Sequence, residues 1–323
     1  MRTAQMMRRA MTAVLAIVSS DSALGQDYPS KSVRMLTTEA GGTADFLARL
    51  LAQGLSVSLG QQVIVENQGR GGGISGGLTV AKAQPDGHTL LFYGSSIWLL
   101  PFLRKEVPWD PVKDFAPITM TNRTPMVLVV HASVPADSVR SLVALAKSRP
   151  GALDYASGSV GSIPHLAAEL FKNMAAVNIQ QINYRGAGPS MNALIRGEVQ
   201  VLFSNMGSVE PHLKSRRLKA LGVSTMKPTP LVPGIPTIAA GGLPGFEVES
   251  AQALFAPVRT PVSIIDRLNQ ETVRLLNRPE VKEKLLGAGV EGVGSTPEQF
   301  AAKMKSDMLK WGKLIREAGI RAE

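Results

Sequence analysis

The 323-residue sequence contains no cysteine, so it has no disulfide, no thiolate metal ligand and no cysteine nucleophile. Aromatic residues make up only 5% of it. Lys and Arg total 35 against 25 Asp and Glu, for a net charge of +10. These cations are dispersed. KSRRLK at 214–219 is the one dense cluster, and no aromatic interleaves with it, which argues against nucleic-acid binding. A diffuse positive field suits anionic small molecules instead. The four histidines, His88, His131, His165 and His212, are far apart and lack metal-ligand spacing, so no metal and no cofactor is expected. No apolar run approaches the roughly 20 residues needed to span a bilayer.

The short apolar run that does occur is AMTAVLAIV at 10–18, preceded by Arg2, Arg8 and Arg9 and followed by SSDSALGQ. A basic segment, a short apolar core and small residues at Ala23 and Gly25 predict a secretory leader cleaved after Gly25, and therefore a periplasmic protein. Removing residues 1–25 takes three Arg and one Asp and leaves +8. With 44% apolar residues, 31 Gly and 21 Pro, the remaining length fits two α/β lobes rich in tight turns better than one.

Strand and helix patterns alternate. VRMLTT (33–38), QVIVEN (62–67) and HTLLFYG (88–94) read as strands, with a helix from Asp45 to Val57 and a short one over 73–84. Phe46, Leu47, Leu50, Leu51 and Leu55 recur at helical spacing and predict one buried face. A second set begins at MVLVVH (126–131) and continues with strands at 153–157, 178–184, 199–205 and 218–225 and helices at 138–148, 164–174 and 189–196. VESAQALFAPV (248–258) returns as a strand before helices near 261–277 and 297–318. This alternation predicts parallel-rich sheets with helices on both faces. Crossings at 126–131 and 247–257 predict lobes of 26–125 with 247–323 and of 126–246, hinged around a cleft.

Glycine-rich bends recur at strand ends: EAGGTAD (39–45), SGSVGSIPH (157–165), YRGAGPS (184–190) and, more loosely, YGSS (93–96). In each, small residues precede a helix whose first N–H groups are unpaired and whose dipole is positive at that end. Pro164 and Pro189 sit in the first turn, where a missing N–H costs nothing. Such bends can be ordinary capped turns; repeated in one chain, they also suit gripping a carboxylate without formal positive charge.

YPSKSVRML, PDGHTLL, WDPVKDFAPI, SRPGALDYASGSVGSIPHLAAELF, INYRGAGPSMNALIRGEV and LFAPVRTP stand in order from about Tyr28 to the C-terminus. Together they resemble the Bug family of periplasmic solute receptors, the extracytoplasmic components of tripartite tricarboxylate transporters. The resemblance implies a type II-like two-lobed periplasmic-binding-protein fold that closes on a small carboxylate and delivers it, as a monomer, to membrane permease subunits in transient contact. It implies ligand contacts from Gly41, Gly42, Thr43 and Asp45, from Ser157, Ser159, Gly161, Ser162 and His165, and from Tyr184, Gly186 and Pro189. The YGSS bend adds Ser95 and Ser96. Two positions depart from the family pattern. Glu39-Ala40 stands where a small or apolar residue, often Pro, is usual, and Ser204 stands where an acidic residue is frequent. Glu39 tilts the expected ligand toward one bearing an amine or smaller than citrate.

Rival readings find less support. GISGG at 73–77 matches a hydrolase nucleophile pattern, but no strand leads into Ser75. GGGISG (71–76) lacks the acidic ribose partner of a dinucleotide site. With no nucleophile–base pair, an enzyme is not expected. A periplasmic sensor presenting its closed form to a membrane signalling protein is the alternative. Arg185 could face the ligand or solvent, and Trp98 the cleft mouth or the core.

Overall fold

A computed structural model of the chain describes residues 28–38, 40–41, 43–69, 73–158, 160–184 and 186–321. The expected leader lies outside the described residues, as do Glu39, Gly42, Ser159 and Arg185.

Eleven strands form among the described residues. In chain order they are β1 Val33–Thr37, β2 Val63–Asn67, β3 Thr89–Gly94, β4 Phe115–Pro125, β5 Val127–His131, β6 Asp154–Ser157, β7 Gln180–Asn183, β8 Val201–Ser204, β9 Leu218–Val223, β10 Glu249–Pro257 and β11 Glu291–Gly292. They make two sheets, one ordered β11-β4-β10-β3-β1-β2 and the other β7-β6-β8-β5-β9. The helices among the described residues are α1 Thr43–Leu59, α2 Ile74–Ala81, α3 Ser96–Leu103, α4 Val139–Ser148, α5 Ile163–Ala175, α6 Ala187–Ile195, α7 Met206–Lys214, α8 Val262–Leu276, α9 Pro279–Gly287 and α10 Pro297–Glu317.

The sheets are mixed, not parallel-rich. β1 pairs in parallel with β2 and β3, and β6 with β7 and β8. β10 runs antiparallel to both β3 and β4, and β5 antiparallel to both β8 and β9. The reversal has a topological cause. β5 and β10 are the strands on which the chain arrives from the other sheet, so no helical crossover sets their direction. β4 was not legible as a strand because it carries Pro117 and Pro125 among polar residues. It pairs with β10 through two register shifts, the irregularity a proline-bearing strand needs. Pro101 likewise disguised α3.

In α1 the buried face is Leu47, Ala48, Leu51, Ala52 and Leu55. Phe46, expected inside, is 42% exposed. The i,i+4 leucines with small alanines between them pack against the sheet, and this rotates Phe46 outward. Trp98 is fully buried and packs edge-on to Phe300 at 5.8 Å between ring centroids, so it belongs to the core. One apolar cluster runs from Trp98, Phe255 and Phe300 beside the first sheet to Phe171, Phe203 and Phe246 beside the second.

The two crossings are stitched to each other. Ser224, fully buried, accepts a hydrogen bond from the Met126 N–H at 2.8 Å and donates to the Val248 carbonyl. Its backbone N–H also donates to the Met126 carbonyl, and its carbonyl accepts from Val248 N–H.

Candidate functional site

Helix N-termini from both sheets face one cavity of about 370 Å³. The first sheet contributes Thr43 and Ala44 from α1 and Ser95 and Ser96 from α3. The second contributes Ser162, Ile163 and Pro164 from α5, Ala187 from α6, and Ser204 and Asn205 leading into α7. Thr124, Met126, Ser250 and Gln252, at the crossings, also line it. Among the described residues, the lining holds nine hydroxyl side chains and two amides, and no Asp, Glu, Lys, Arg or His. An anion placed there meets peptide dipoles and hydroxyls rather than counter-charges. The caps of α3, α5 and α6 make no side-chain cap hydrogen bond, so their first-turn N–H groups are not consumed by capping. Asn205 does cap α7, accepting from Ser208 N–H.

Several residues expected to touch ligand instead hold the loops that line the cavity. Asp45 is buried. Its carboxylate accepts from the Gly41 N–H at 3.0 Å, from Asn67 at 2.8 Å and from Arg49 at 3.1 Å. These bonds, Arg49's first, hold its pKa down at about 2. Gly41, at φ 88°, makes the bend these bonds clamp. Ser157 is fully buried beneath the second loop, where its hydroxyl accepts from Gln181 at 2.7 Å. His165 is buried, and its Nδ1 accepts from the Gly161 N–H at 2.9 Å. Burial pushes the imidazole below its ordinary pKa.

Tyr184 is half-buried against the core of the second sheet, and Pro189 is exposed. Neither they nor Gly161 and Gly186 are among the described residues that line the cavity. Gly186 N–H donates to the Gly158 carbonyl at 2.8 Å. A Cβ on Gly158 would stand 2.8 Å from the Gly186 carbonyl carbon, so only glycine lets these two loops touch. The lining therefore gathers Thr43, Ser95, Ser96, Ser162 and Ser204 of the expected set. Thr38, Tyr93, Thr124, Asn205, Ser250 and Gln252 were not singled out from sequence. Three of these, Thr124, Ser250 and Gln252, lie at or beside the crossings, so the crossings themselves were the available signal for this part of the lining.

The family model for "Tripartite tricarboxylate transporter family receptor" matches residues 47–320. The chain is 33% identical to Protein BugT of Bordetella pertussis over 315 residues, covering 97% of this chain and 95% of that one. Among solved structures it is similar to R. palustris Rpa4515 with adipate, with a TM-score of 0.78, 34% identity and coverage of 91% and 99%. It is also similar to MatC from Rhodopseudomonas palustris with bound malate, with a TM-score of 0.72, 27% identity and coverage of 89% and 100%. The chain belongs to the tripartite tricarboxylate transporter receptor family, and its architecture is the two-lobed periplasmic-binding-protein fold.

Proposed function

We propose that this family member is a periplasmic receptor that closes on a small carboxylate between two lobes, 26–125 with 247–323 and 126–246, and hands it to membrane permease subunits. The observation that carries this reading is the meeting of five helix N-termini, from both sheets, on one cavity without a charged side chain among its described lining residues. Such a cavity offers N–H and O–H donors to an anion. Hydrogen bonds to a charged group are worth about 1.5–3 kcal/mol each. Those from Thr43 and Ser96 on one side and Ser162 and Ser204 on the other link the two lobes. A ligand that touches both lobes shifts the open–closed equilibrium, which is what a permease can read.

The adipate and malate seen in the related structures make dicarboxylates of four to six carbons the first candidates. The test is a thermal-shift screen of the mature chain against organic acids, followed by calorimetry. A stabilising acid with a 1:1 stoichiometry and no conversion on incubation is expected. Stabilisation by no carboxylate, or chemical turnover of the one that binds, would overturn the reading.

A further inference from the structure

Helix α10 buries Phe300, Met304, Trp311 and Ile315 against the core, and the stripe beside that face is left uncovered. It forms one wall of a surface groove of about 480 Å³, with Met308 and Leu309 facing Val112, Phe115 and Pro117. Leu309 is 69% exposed and Val112 55%. A continuous apolar groove on a protein surface marks an interaction site, unlike scattered exposed leucines.

Phe102 and Arg316 close one end of this groove and open a second cavity of about 390 Å³. Arg104, Lys105 and Arg321 line the second cavity, over a floor of Leu103 and Ile320. Among the described residues, neither lining contains a carboxylate. The Arg104 Nε is buried without a hydrogen-bond partner, and Arg104, Lys105 and Arg321 have no ion-pair partner among the described residues. Arg104 and Arg316 stand at the C-terminal ends of α3 and α10, where the dipole favours a cation. The dipole does not account for a buried N–H lacking an acceptor.

We propose that the groove and the basic pocket together dock an acidic amphipathic segment of a membrane-embedded partner protein, with its apolar side chains in the groove and its carboxylates in the pocket. This rests on the receptor reading for its purpose, since a receptor must be recognised by what it serves. The chemistry is that of a helix laid in a groove, with affinity from the apolar anchors and register from the charges. The pocket is also placed to report closure. Leu103 forms its floor, and a Leu103 δ carbon lies 2.4 Å from where a Cβ of Gly161 would stand. Gly161 belongs to the cavity loop carried by the other sheet.

The test places the photo-crosslinker p-benzoylphenylalanine at Leu309 in the full chain, expressed in its native cells. The control is the same group at Val57, which is 76% exposed on α1. Crosslinked peptides are sequenced by mass spectrometry. The expected product from Leu309, absent from Val57, is an Asp/Glu-rich membrane-protein segment with apolar residues at helical spacing. Its yield should fall at least tenfold in R104E/R321E. That variant should keep the ligand-free melting temperature and its stabilisation by adipate; if it does not fold, the more exposed pair K105E/R321E replaces it.

No crosslink, a crosslink to lipid only or to a second copy of this chain, or a yield indifferent to charge reversal overturns the proposal. Should the crosslink behave as expected while no carboxylate stabilises the chain, the docking surface stands and the receptor reading fails.

Discussion

The imidazole Nδ1 of His165 accepts a hydrogen bond from the backbone N–H of Gly161 at 2.9 Å, across one turn of the loop that opens α5. The ring lies parallel to Tyr155 at 6.2 Å between centroids. The Tyr155 hydroxyl donates to Glu169 at 2.6 Å, and Lys172 donates to the same carboxylate oxygen at 2.7 Å. The loop facing the cavity is thus anchored from beneath by a neutral histidine that carries its proton on Nε2.

That anchor makes ligand binding sensitive to acid. Burial holds the folded-state pKa of His165 below its ordinary value. As pH falls below about 6.5 the unfolded chain takes up a proton that the folded chain resists. The contribution of His165 to stability is complete above that pH and declines as pH falls toward the folded-state value. Protonation would also remove the acceptor for Gly161 N–H. Calorimetry from pH 8 down to pH 5 should show the affinity of wild type falling for whichever acid stabilises it in the thermal-shift screen. H165L should bind several-fold more weakly at pH 8 and show a flatter profile. A profile in H165L as steep as in wild type would remove His165 from the account.

Gly161 is constrained twice. Its φ of +77° disfavours any side chain, and a Cβ would stand 2.4 Å from a Leu103 δ carbon. The backbone cost alone is about 1–2 kcal/mol. G161A should fold and lose most of its ligand-induced thermal shift. L103A/G161A should recover part of it, because the contact is relieved while the strained φ remains. Full recovery would mean that φ is irrelevant, and no recovery that the contact is.

Asp45 predicts an acid limb. Its carboxyl is held at about 2 by Arg49, Asn67 and the Gly41 N–H, below the ordinary 3.8. A depressed pKa contributes stability that is complete above the ordinary value and lost as pH falls through the folded one. Denaturation of wild type monitored between pH 5 and pH 2 should therefore show stability falling from about pH 4 downward. In D45N that component should be absent, and at pH 7 D45N should be less stable and bind ligand more weakly, because the α1 loop loses its clamp. Parallel acid limbs for the two proteins would contradict this.

Ser224 predicts a hinge defect. It satisfies both the Met126 N–H and the Val248 carbonyl, groups on the two separate crossings. S224A leaves a buried donor and acceptor unpaired, at a cost of about 1–3 kcal/mol. Urea unfolding should show this loss with an unchanged slope. S224T, which keeps the hydroxyl, should lose less if the added methyl is accommodated.

Much of this was local and therefore legible. The strands at VRMLT and VLVVH, the i,i+4 leucines of α1 and the Gly/Ser bends before α1, α5 and α6 declare themselves within windows of ten residues, because period and turn chemistry are short-range. The elements that escaped, β4, β11, α3, α7 and α9, are those whose local residues speak against them or say little. Prolines interrupt β4, α3 and α7, the nine-residue α9 buries only Val281 and Leu285, and a two-residue strand has no period at all. They form because neighbours distant in sequence hold them. The Thr119 hydroxyl donates to the Ser295 carbonyl 176 residues away, and Arg123 meets Glu291 at 2.9 Å.

The sequence by itself determined that strand–bend–helix units recur and that their bends are lined with hydroxyls and glycine, since both follow from neighbouring residues. Only the tertiary structure decided which of those hydroxyls look into a shared cavity and which, like Ser157 and the carboxylate of Asp45, turn inward to brace the loops. It alone decided that β5 and β10 run against their neighbours, and that β10 sets Ser250 opposite Thr124 of β4 and, with Gln252, on the cavity lining. The reason is geometric. A side chain's direction is set by register and by the packing of segments a hundred residues apart, and no short window of sequence encodes either.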